Sequence, residues 1–516
     1  MARVLLSDAD IMVEIQGYDI TESVRSALQY VSVYHTPDYL EHLRSAYERE
    51  ASQSAKAAIG QIIESSRLAA LGKRPMCQDT GMVTIFATIG QSVTINSDKS
   101  LEELINVGVR QAYLDEGNPL RASMVDDPIF ERKNTQDNTP AVTHVESAVG
   151  NTLELMIAAK GGGSENKARY TMLNPAASVA DWVVETIEKL GAGWCPPGMI
   201  GVGVGGSAEK AMLLAKRAVM GEIDMLELLE RGPSSKLEEL RIELYERINN
   251  LGIGAQGLGG NTTVVDVKVS TYATHAASKP VALMPQCAAN RHAKVVLRGD
   301  GPVYLDPPDM NAWPKIDASG QGTEVKSVNV DDLTKEKMAS WKPGDTLLLS
   351  GKILTGRDAA HRRISEMIER GEPLPFSLKD RIIYYVGPVD PIEGEVVGPA
   401  GPTTSTRMDR YTKTILDLGL LSMIGKAERG ADTVSKIAEA KATYLIAVGG
   451  AAVLVSKAIR GSRMVAFEDL GMEAVREFTI KDMPVTVAVD SKGNSIHSSG
   501  PARWRSDVVP IIRSFG

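Results

Sequence analysis

Apolar residues recur at helical spacing through the first ~70 residues of the chain. Leu40, Leu43, Ala46, Ala55 and Ile59 fall on one face and predict a helix over 38–63. The turn-rich stretch 72–81 interrupts this pattern, and Met82-Val83-Thr84-Ile85-Phe86-Ala87, rich in β-branched residues, predicts a strand. Helical spacing returns over 101–116 and 176–190, and strand-like runs lie at 153–158 and 263–269. A stretch rich in proline and glycine follows, with Pro302, Pro307, Pro308 and Pro314 between Gly299 and Gly322. Such composition marks an exposed connection. Beyond it, short strands predicted at 347–349, 382–386, 444–448, 464–467 and 485–489 alternate with helices predicted over 357–370 and 408–424. The expected architecture is mixed α/β in two domains. An N-terminal α/β domain spans 1–298, a linker 299–325, and a smaller C-terminal α/β domain 326–516.

The length of 516 residues exceeds what one hydrophobic core usually supports, which agrees with two domains. A net charge of −8 gives the chain no general attraction for nucleic acid or an anionic membrane, so an anionic ligand needs a local cationic pocket. The most apolar uncharged stretch, 442–456, is shorter than the ~20 residues of a membrane helix, and its Gly449-Gly450 pair suggests a buried strand and turn. Residues 1–12 carry Asp8 and Asp10 and lack a basic-then-apolar leader, so a cytoplasmic location is expected. The glycines of 201–206 look like a dinucleotide loop but follow a proline turn, with no clear βαβ unit around them, and are not read as a nucleotide site.

Only three cysteines occur, Cys77, Cys195 and Cys287, an odd number that argues against a disulfide framework. Taken singly, each is as readily a small buried hydrophobe. Yet each sits in a loop-like context with a proline within two residues, and rigid non-helical backbone suits a ligand that must be aimed. The separations, 195 − 77 = 118 and 287 − 195 = 92, match neither a zinc ribbon nor a ferredoxin run. Three thiolates on a cubane cluster would leave one iron without a protein ligand, free to act as a Lewis acid on water or a hydroxyl. Zinc is the nearest competitor, although open zinc sites more often use His or carboxylate.

Three strings carry a resemblance. Lys73-Arg74-Pro75-Met76-Cys77-Gln78-Asp79-Thr80-Gly81 resembles the first cluster loop of the class I, iron–sulfur-dependent fumarate hydratases. Lys160-Gly161-Gly162-Gly163-Ser164-Glu165-Asn166-Lys167 is similar to that family's glycine-rich substrate loop, and Gly401-Pro402-Thr403-Thr404-Ser405-Thr406-Arg407-Met408-Asp409 to its C-terminal signature. The resemblance runs through nearly the whole chain, in order. It implies a [4Fe-4S] cluster ligated by Cys77, Cys195 and Cys287, and a homodimer. It implies that Arg121, Arg357 and Arg407 hold the substrate carboxylates, although the segment around Arg121 departs from the tyrosine-containing version usual in the larger members. Guanidinium forks bind carboxylates bidentately, and two carboxylates need more than one fork. It further implies substrate contact for Gln78, an acid role for Asp79, a base role for Thr403, and active-site places for His275 and Lys426.

Each of these residues also has a blander reading. Asp79 could bond its own turn, Gly161 to Gly163 could form a tight turn rather than present Gly162 N–H groups to a carboxylate, and His275 could be a structural histidine. Lys426 could be a cation at the C-terminus of the helix predicted over 408–424. The implied reaction is reversible hydration of fumarate to malate. Mesaconate and L-tartrate are alternative substrates, although related tartrate dehydratases usually split the two domains into separate subunits. A cluster-based redox sensor would need no carboxylate clamp and usually has four protein ligands.

Overall fold

The computed structural model describes residues 12–316 and 325–506. The start of the chain and the C-terminal part of the expected linker, 317–324, lie outside the described residues. No helix among the described residues is long and apolar enough to cross a membrane.

Three sheets are built from residues before 298 and one from residues after 324. A short parallel pair joins Val13–Gln16 to Val93–Asn96. A four-stranded sheet follows in the order His292–Leu297, Leu153–Lys160, Met82–Gly90, Val142–Ala148. A second four-stranded sheet runs Arg169–Leu173, Lys279–Gln286, Gly198–Gly205, Val264–Tyr272. In the C-terminal part, Thr346–Thr355, Ile382–Tyr384, Ser422–Gly425 and Thr443–Ile446 pair in parallel. Val475–Val489 then pairs antiparallel with both Thr443–Ile446 and Thr346–Thr355, closing the ladder on itself. The enclosed side chains, among them Leu347, Ile382, Ile424, Leu445 and Val485, are buried. Closure gives each of these five strands a partner on both sides, which explains why such short strands hold together, while Val325–Asn329 and Ile459–Ala466 extend the sheet outward as edges.

The predicted elements largely appear, with three differences of physical interest. The helix expected over 38–63 is two helices, Pro37–Arg49 and Gln53–Gly72. The Glu50 carboxylate accepts from the backbone N–H groups of Ser52, Asn261 and Thr262, and the Ser52 hydroxyl caps the second helix. Those bonds outcompete a continuous helix, which apolar spacing alone cannot register. The helix expected over 408–424 ends at Asp417, and Ser422–Gly425 is a strand. The residues between include Gly419 at φ +88, a conformation that stops a helix. Lys426 therefore follows a strand and is not a helix-end cation. The glycines of 201–206 belong to the strand Gly198–Gly205 itself. A Cβ at Gly201 or Gly203 would come within 2.3 and 2.0 Å of carbonyl oxygens of the helix Ala208–Ala218, so these glycines serve close helix–strand packing.

The largest core cluster crosses the chain's midpoint. It packs Ile59, Ile62 and Ala288 with Tyr385, Val448 and Ala451. Buried apolar surface thus fixes how the two parts of the chain meet. Most of the side chains expected to carry chemistry lie along that seam.

Candidate active site

The three cysteine loops converge although they are far apart in sequence. Cys77 follows the helix Gln53–Gly72, whose end is turned by Lys73 in the left-handed conformation. The neighbouring Arg74 is buried and reaches across the seam, pairing with Glu395 at 3.0 Å and donating to the Asp390 carbonyl oxygen at 2.7 Å. Cys195 is itself left-handed, at φ +62, a strained conformation of the kind that gathers at functional sites. Its carbonyl oxygen accepts from Ala288 N–H at 3.1 Å, which ties its loop to that of Cys287. Cys77 and Cys195 both feel the charge of Cys287, and Cys195 that of Cys77 as well. Burial pushes Cys77 and Cys195 above the ordinary thiol value, while Lys426 pulls both down. The Gly449-Gly450 turn closes this side, with Gly449 N–H donating to Gln256 Oε1 at 2.8 Å. A Cβ at Gly449 would come within 2.8 Å of Cys195 Sγ, so only glycine lets the backbone lie against the thiol.

The cations and the glycine loop form the other side. The segment Gly162–Glu165 is a single helical turn, and the Gly162 N–H donates to Asp79 Oδ2 at 2.9 Å. Behind it, buried Lys160 donates to Ser164 Oγ at 2.6 Å. Burial, opposed by Glu165, leaves Lys160 down at about 8. Gln78 is buried and donates to the Pro402 carbonyl oxygen at 3.1 Å, holding the Gly401–Thr403 loop against the Cys77 loop. Thr403 is buried, and its backbone is fixed on both sides: its N–H donates to Tyr385 O at 2.7 Å, and its carbonyl accepts from Lys426 N–H at 3.2 Å.

Arg121 Nη1 donates to the Gly387 carbonyl at 2.7 Å, and a Cβ at Gly387 would lie 2.8 Å from Arg357 Nη1 and 3.5 Å from Arg121 Nη1. Burial lowers Arg121 to about 10, and Arg357 beside it adds to this. Arg357 pairs with Glu473 at 3.1 Å, and Arg407 with Asp358 at 3.2 Å. Three guanidinium groups share only two carboxylates, Asp358 and Glu473, which leaves this face net positive and suits an anionic ligand.

A family model described as fumarate hydratase (fumerase) matches residues 21–296, and one described as fumarase C-terminus matches 299–500. This chain belongs to the fumarate hydratase family. It is 32% identical over 505 residues to the anaerobic class I fumarate hydratase of Escherichia coli (strain K12), covering 94% of this chain and 91% of that protein. Fumarate hydratase 2 of Leishmania major is 31% identical, covering 93% of this chain and 86% of that protein. A Methanocaldococcus jannaschii sequence named for the alpha subunit of an L(+)-tartrate dehydratase is 34% identical. It covers only 53% of this chain against 96% of its own length.

For a fumarate hydratase the seam has a consistent electrostatic order. Burial would lower Lys426, but the sulfurs of Cys195, Cys77 and Cys287 outweigh burial and hold it above its ordinary value. Burial would raise Asp79, but Arg121, Arg291, Lys426 and the Gly162 N–H outweigh it and hold the carboxyl below its usual range. Among these cations Asp79 is held as a carboxylate. The donor set fits an iron–sulfur cluster. Two buried thiols and the half-buried Cys287 lie beside the half-buried Lys426, and no carboxylate lies within ion-pair distance of Lys426 among the described residues. Among those residues no three His, Cys, Asp or Glu side chains gather closely enough to hold a single metal ion.

The seam brings together Cys77, Cys195, Cys287, Gln78, Asp79, Arg121, Gly162, Arg357, Thr403, Arg407 and Lys426. It does not bring His275. The strand Val264–Tyr272 runs parallel to Gly198–Gly205, so Cys195 precedes one end of the pair and His275 follows the other, roughly 25 Å along the strand. His275 is exposed there, its Nδ1 accepting from Ala277 N–H at 3.1 Å. Twelve residues of separation from Cys287 suggested proximity, but the strand Lys279–Gln286 spans most of them and carries the two apart.

Arg291, Gln256, Asp358 and Glu473 were not singled out by motif. Only Arg291, a charge four residues past Cys287 in an otherwise uncharged loop, left a visible signal.

His361 supports the cation face from behind. Fully buried, it donates from Nδ1 to the Arg357 carbonyl at 2.9 Å and meets the Tyr385 ring edge-on at 5.2 Å. Burial pushes it from 6.5 to about 4. In the unfolded chain the ring takes a proton near pH 6.5, whereas in the fold it stays neutral until about pH 4. Its contribution is therefore complete above pH 6.5 and is lost as pH falls toward 4, by on the order of 3 kcal/mol. Buried His35, pushed down to about 3, acts in the same direction. Urea midpoints measured from pH 7 to pH 4.5 are expected to fall, and His361→Gln to flatten that slope. An unchanged slope in the variant would refute the assignment.

Proposed function

We propose that this enzyme catalyses the reversible hydration of fumarate to (S)-malate, with a [4Fe-4S] cluster held by Cys77, Cys195 and Cys287. The observation that carries the reading is the meeting of three thiols, two of them buried, with a clamp of three arginines at one seam, in a chain of the fumarate hydratase family. When bound, the cluster supplies an iron without a protein ligand, a Lewis acid that makes water a stronger acid and hydroxide a better leaving group.

The chain's own residues do the rest. Arg121, Arg357 and Arg407 bind the two carboxylates and stabilise the charge that builds when C3 loses its proton. Gln78 and the loop at Gly162 orient the substrate against Asp79. In the hydration direction the Asp79 carboxylate takes a proton from the attacking water, and in dehydration it returns that proton to the departing hydroxide. Thr403 stands as the group that exchanges the C3 proton, with the Lys426 ammonium beside it to offset the weakness of a hydroxyl as a base. The buried seam excludes bulk water from these charges, which strengthens them.

We assign the cluster and glycine loops to a domain of residues 1–298 and the Thr403–Arg407 loop to one of 326–516. We expect a homodimer in the cytoplasm. Both family segments in one chain favour fumarate over L-tartrate, since the tartrate dehydratase relative spans one segment alone.

The test is anaerobic purification with iron and sulfide counts and an absorption spectrum, followed by turnover on fumarate, mesaconate and L-tartrate. Iron-dependent hydration, fastest on fumarate, is expected. A zinc-bearing chain, or an iron-bearing chain inert toward fumarate, would overturn the proposal.

A further inference from the structure

Arg291 is the most conspicuous charge at the seam without a function in the scheme above. It lies in Asn290-Arg291-His292, at the entry to the strand His292–Leu297. Its carbonyl oxygen accepts from Ala159 N–H at 3.1 Å, which pins its backbone beside the glycine loop. The side chain is 1% exposed. Nη1 donates to the backbone carbonyl of Asp79 at 2.6 Å. Nε and Nη2 are buried with no hydrogen-bond partner among the described residues, and no carboxylate pairs with the guanidinium there. A Cβ at Gly161 would stand 3.4 Å from Nη2, so the glycine loop is packed directly over the unused donors.

A buried guanidinium with two idle nitrogens is costly unless an anion faces it. The Asp79 carboxylate feels the guanidinium's charge but forms no ion pair with it, and its two oxygens accept from Gly81 and Gly162 N–H groups instead. The sulfur side of the site remains. Nη1 is anchored on Asp79, two residues from Cys77, and Ala289, two residues before Arg291, packs with Cys77 and Cys287. A cubane core of charge 2+ bound by three thiolates carries one net negative charge, spread over sulfur atoms that accept hydrogen bonds.

We infer that Arg291 is a positioning residue for the cluster, its Nε and Nη2 donating to anionic sulfur beside Cys77 while Nη1 holds the Asp79 backbone. The inference rests on the reading of the three cysteines as cluster ligands. Its chemistry is that of an outer-shell donor. Positive charge and N–H···S bonds stabilise the more negative, reduced cluster, raise its reduction potential and slow loss of iron. By linking the cluster to Asp79, the same side chain also fixes the carboxylate relative to the reacting centre.

The experiment compares wild type, Arg291→Met and Arg291→Lys as full-length chains reconstituted anaerobically without substrate. Iron release to a chelator, the EPR-monitored reduction potential and the melting temperature of cluster-bound and cluster-free chains are read. Arg291→Met is expected to release iron on the order of 10-fold faster than wild type and to have a more negative potential. Without the cluster it should melt no lower than wild type, because it has shed an unpaired buried charge. Arg291→Lys, which keeps the charge but not the fork, should fall between, and it serves as the probe if the methionine chain folds poorly. Wild-type iron release and potential in the variants would overturn the inference. So would an equal loss of melting temperature with and without cluster, the mark of a structural arginine. A raised KM alone, with normal cluster properties, would make Arg291 a substrate ligand and equally overturn it. A wild-type chain that takes up no cluster would sink the proposed function as well, whereas a normal wild type beside indifferent variants refutes this inference alone.

Discussion

Cys195→Ala is expected to give a folded chain that binds no intact cluster and hydrates no fumarate. The substitution removes one small buried sulfur, a packing loss on the order of 1 kcal/mol that a domain of this size withstands. The chemical loss is larger. Two thiols remain, and the sequence holds no fourth cysteine to replace the third. Cys195 also has the least freedom to be substituted by a neighbour. Its left-handed backbone, its carbonyl bond from Ala288 and the Gly449 turn lying against its sulfur fix the direction of the Cα–Cβ bond. Iron and sulfide analysis, circular dichroism and a fumarate assay check the outcome. Normal iron content with full turnover would remove Cys195 from the ligand set.

Asp79→Asn is expected to lower kcat about 10³-fold, the middle of the range for removing a group that moves a proton in the transition state. Asparagine keeps the size and one acceptor for the Gly81 or Gly162 N–H, so the loop should persist and the cluster should still assemble. The charge is what disappears. In the wild type an ionised Asp79 takes the proton, so the hydration rate should fall as pH drops through its pKa. Because Arg121, Arg291 and Lys426 hold that carboxyl low, this acid limb should lie below the usual carboxylate range. The limb should vanish in Asp79→Asn while KM moves much less than kcat. A variant within a few-fold of wild type in kcat, with the acid limb intact, would exclude Asp79 from proton transfer.

Much of the site was readable before any fold was known, for a physical reason. Cys77, Gln78 and Asp79 are consecutive, as are Gly161 to Gly163, and Thr403 and Arg407 share one short loop. Such groups act together because the chain itself keeps them together, so local strings carry them. The strands 82–87 and 153–158 were equally legible, because β-branched runs bounded by turns leave few alternatives. Where local pattern was ambiguous it misled. The apolar run ending at Ile424 satisfies helical spacing, yet a strand slot between Ile382–Tyr384 and Thr443–Ile446 buries those residues on both faces and wins. His275 sits near Cys287 in sequence, and an intervening strand carries it away.

The sequence by itself determined which residues could do chemistry: three thiols in rigid loops, a glycine-rich turn, and arginines enough for two carboxylates. Only the tertiary structure decided which of them act on one another. Gln78 meets Pro402, Arg74 meets Glu395, and Lys426 meets Cys195 across more than two hundred residues of chain. Arg291 acquired its meaning the same way, since an arginine's charge is unremarkable in a sequence and becomes a demand for an anion only once folding has stripped away its water.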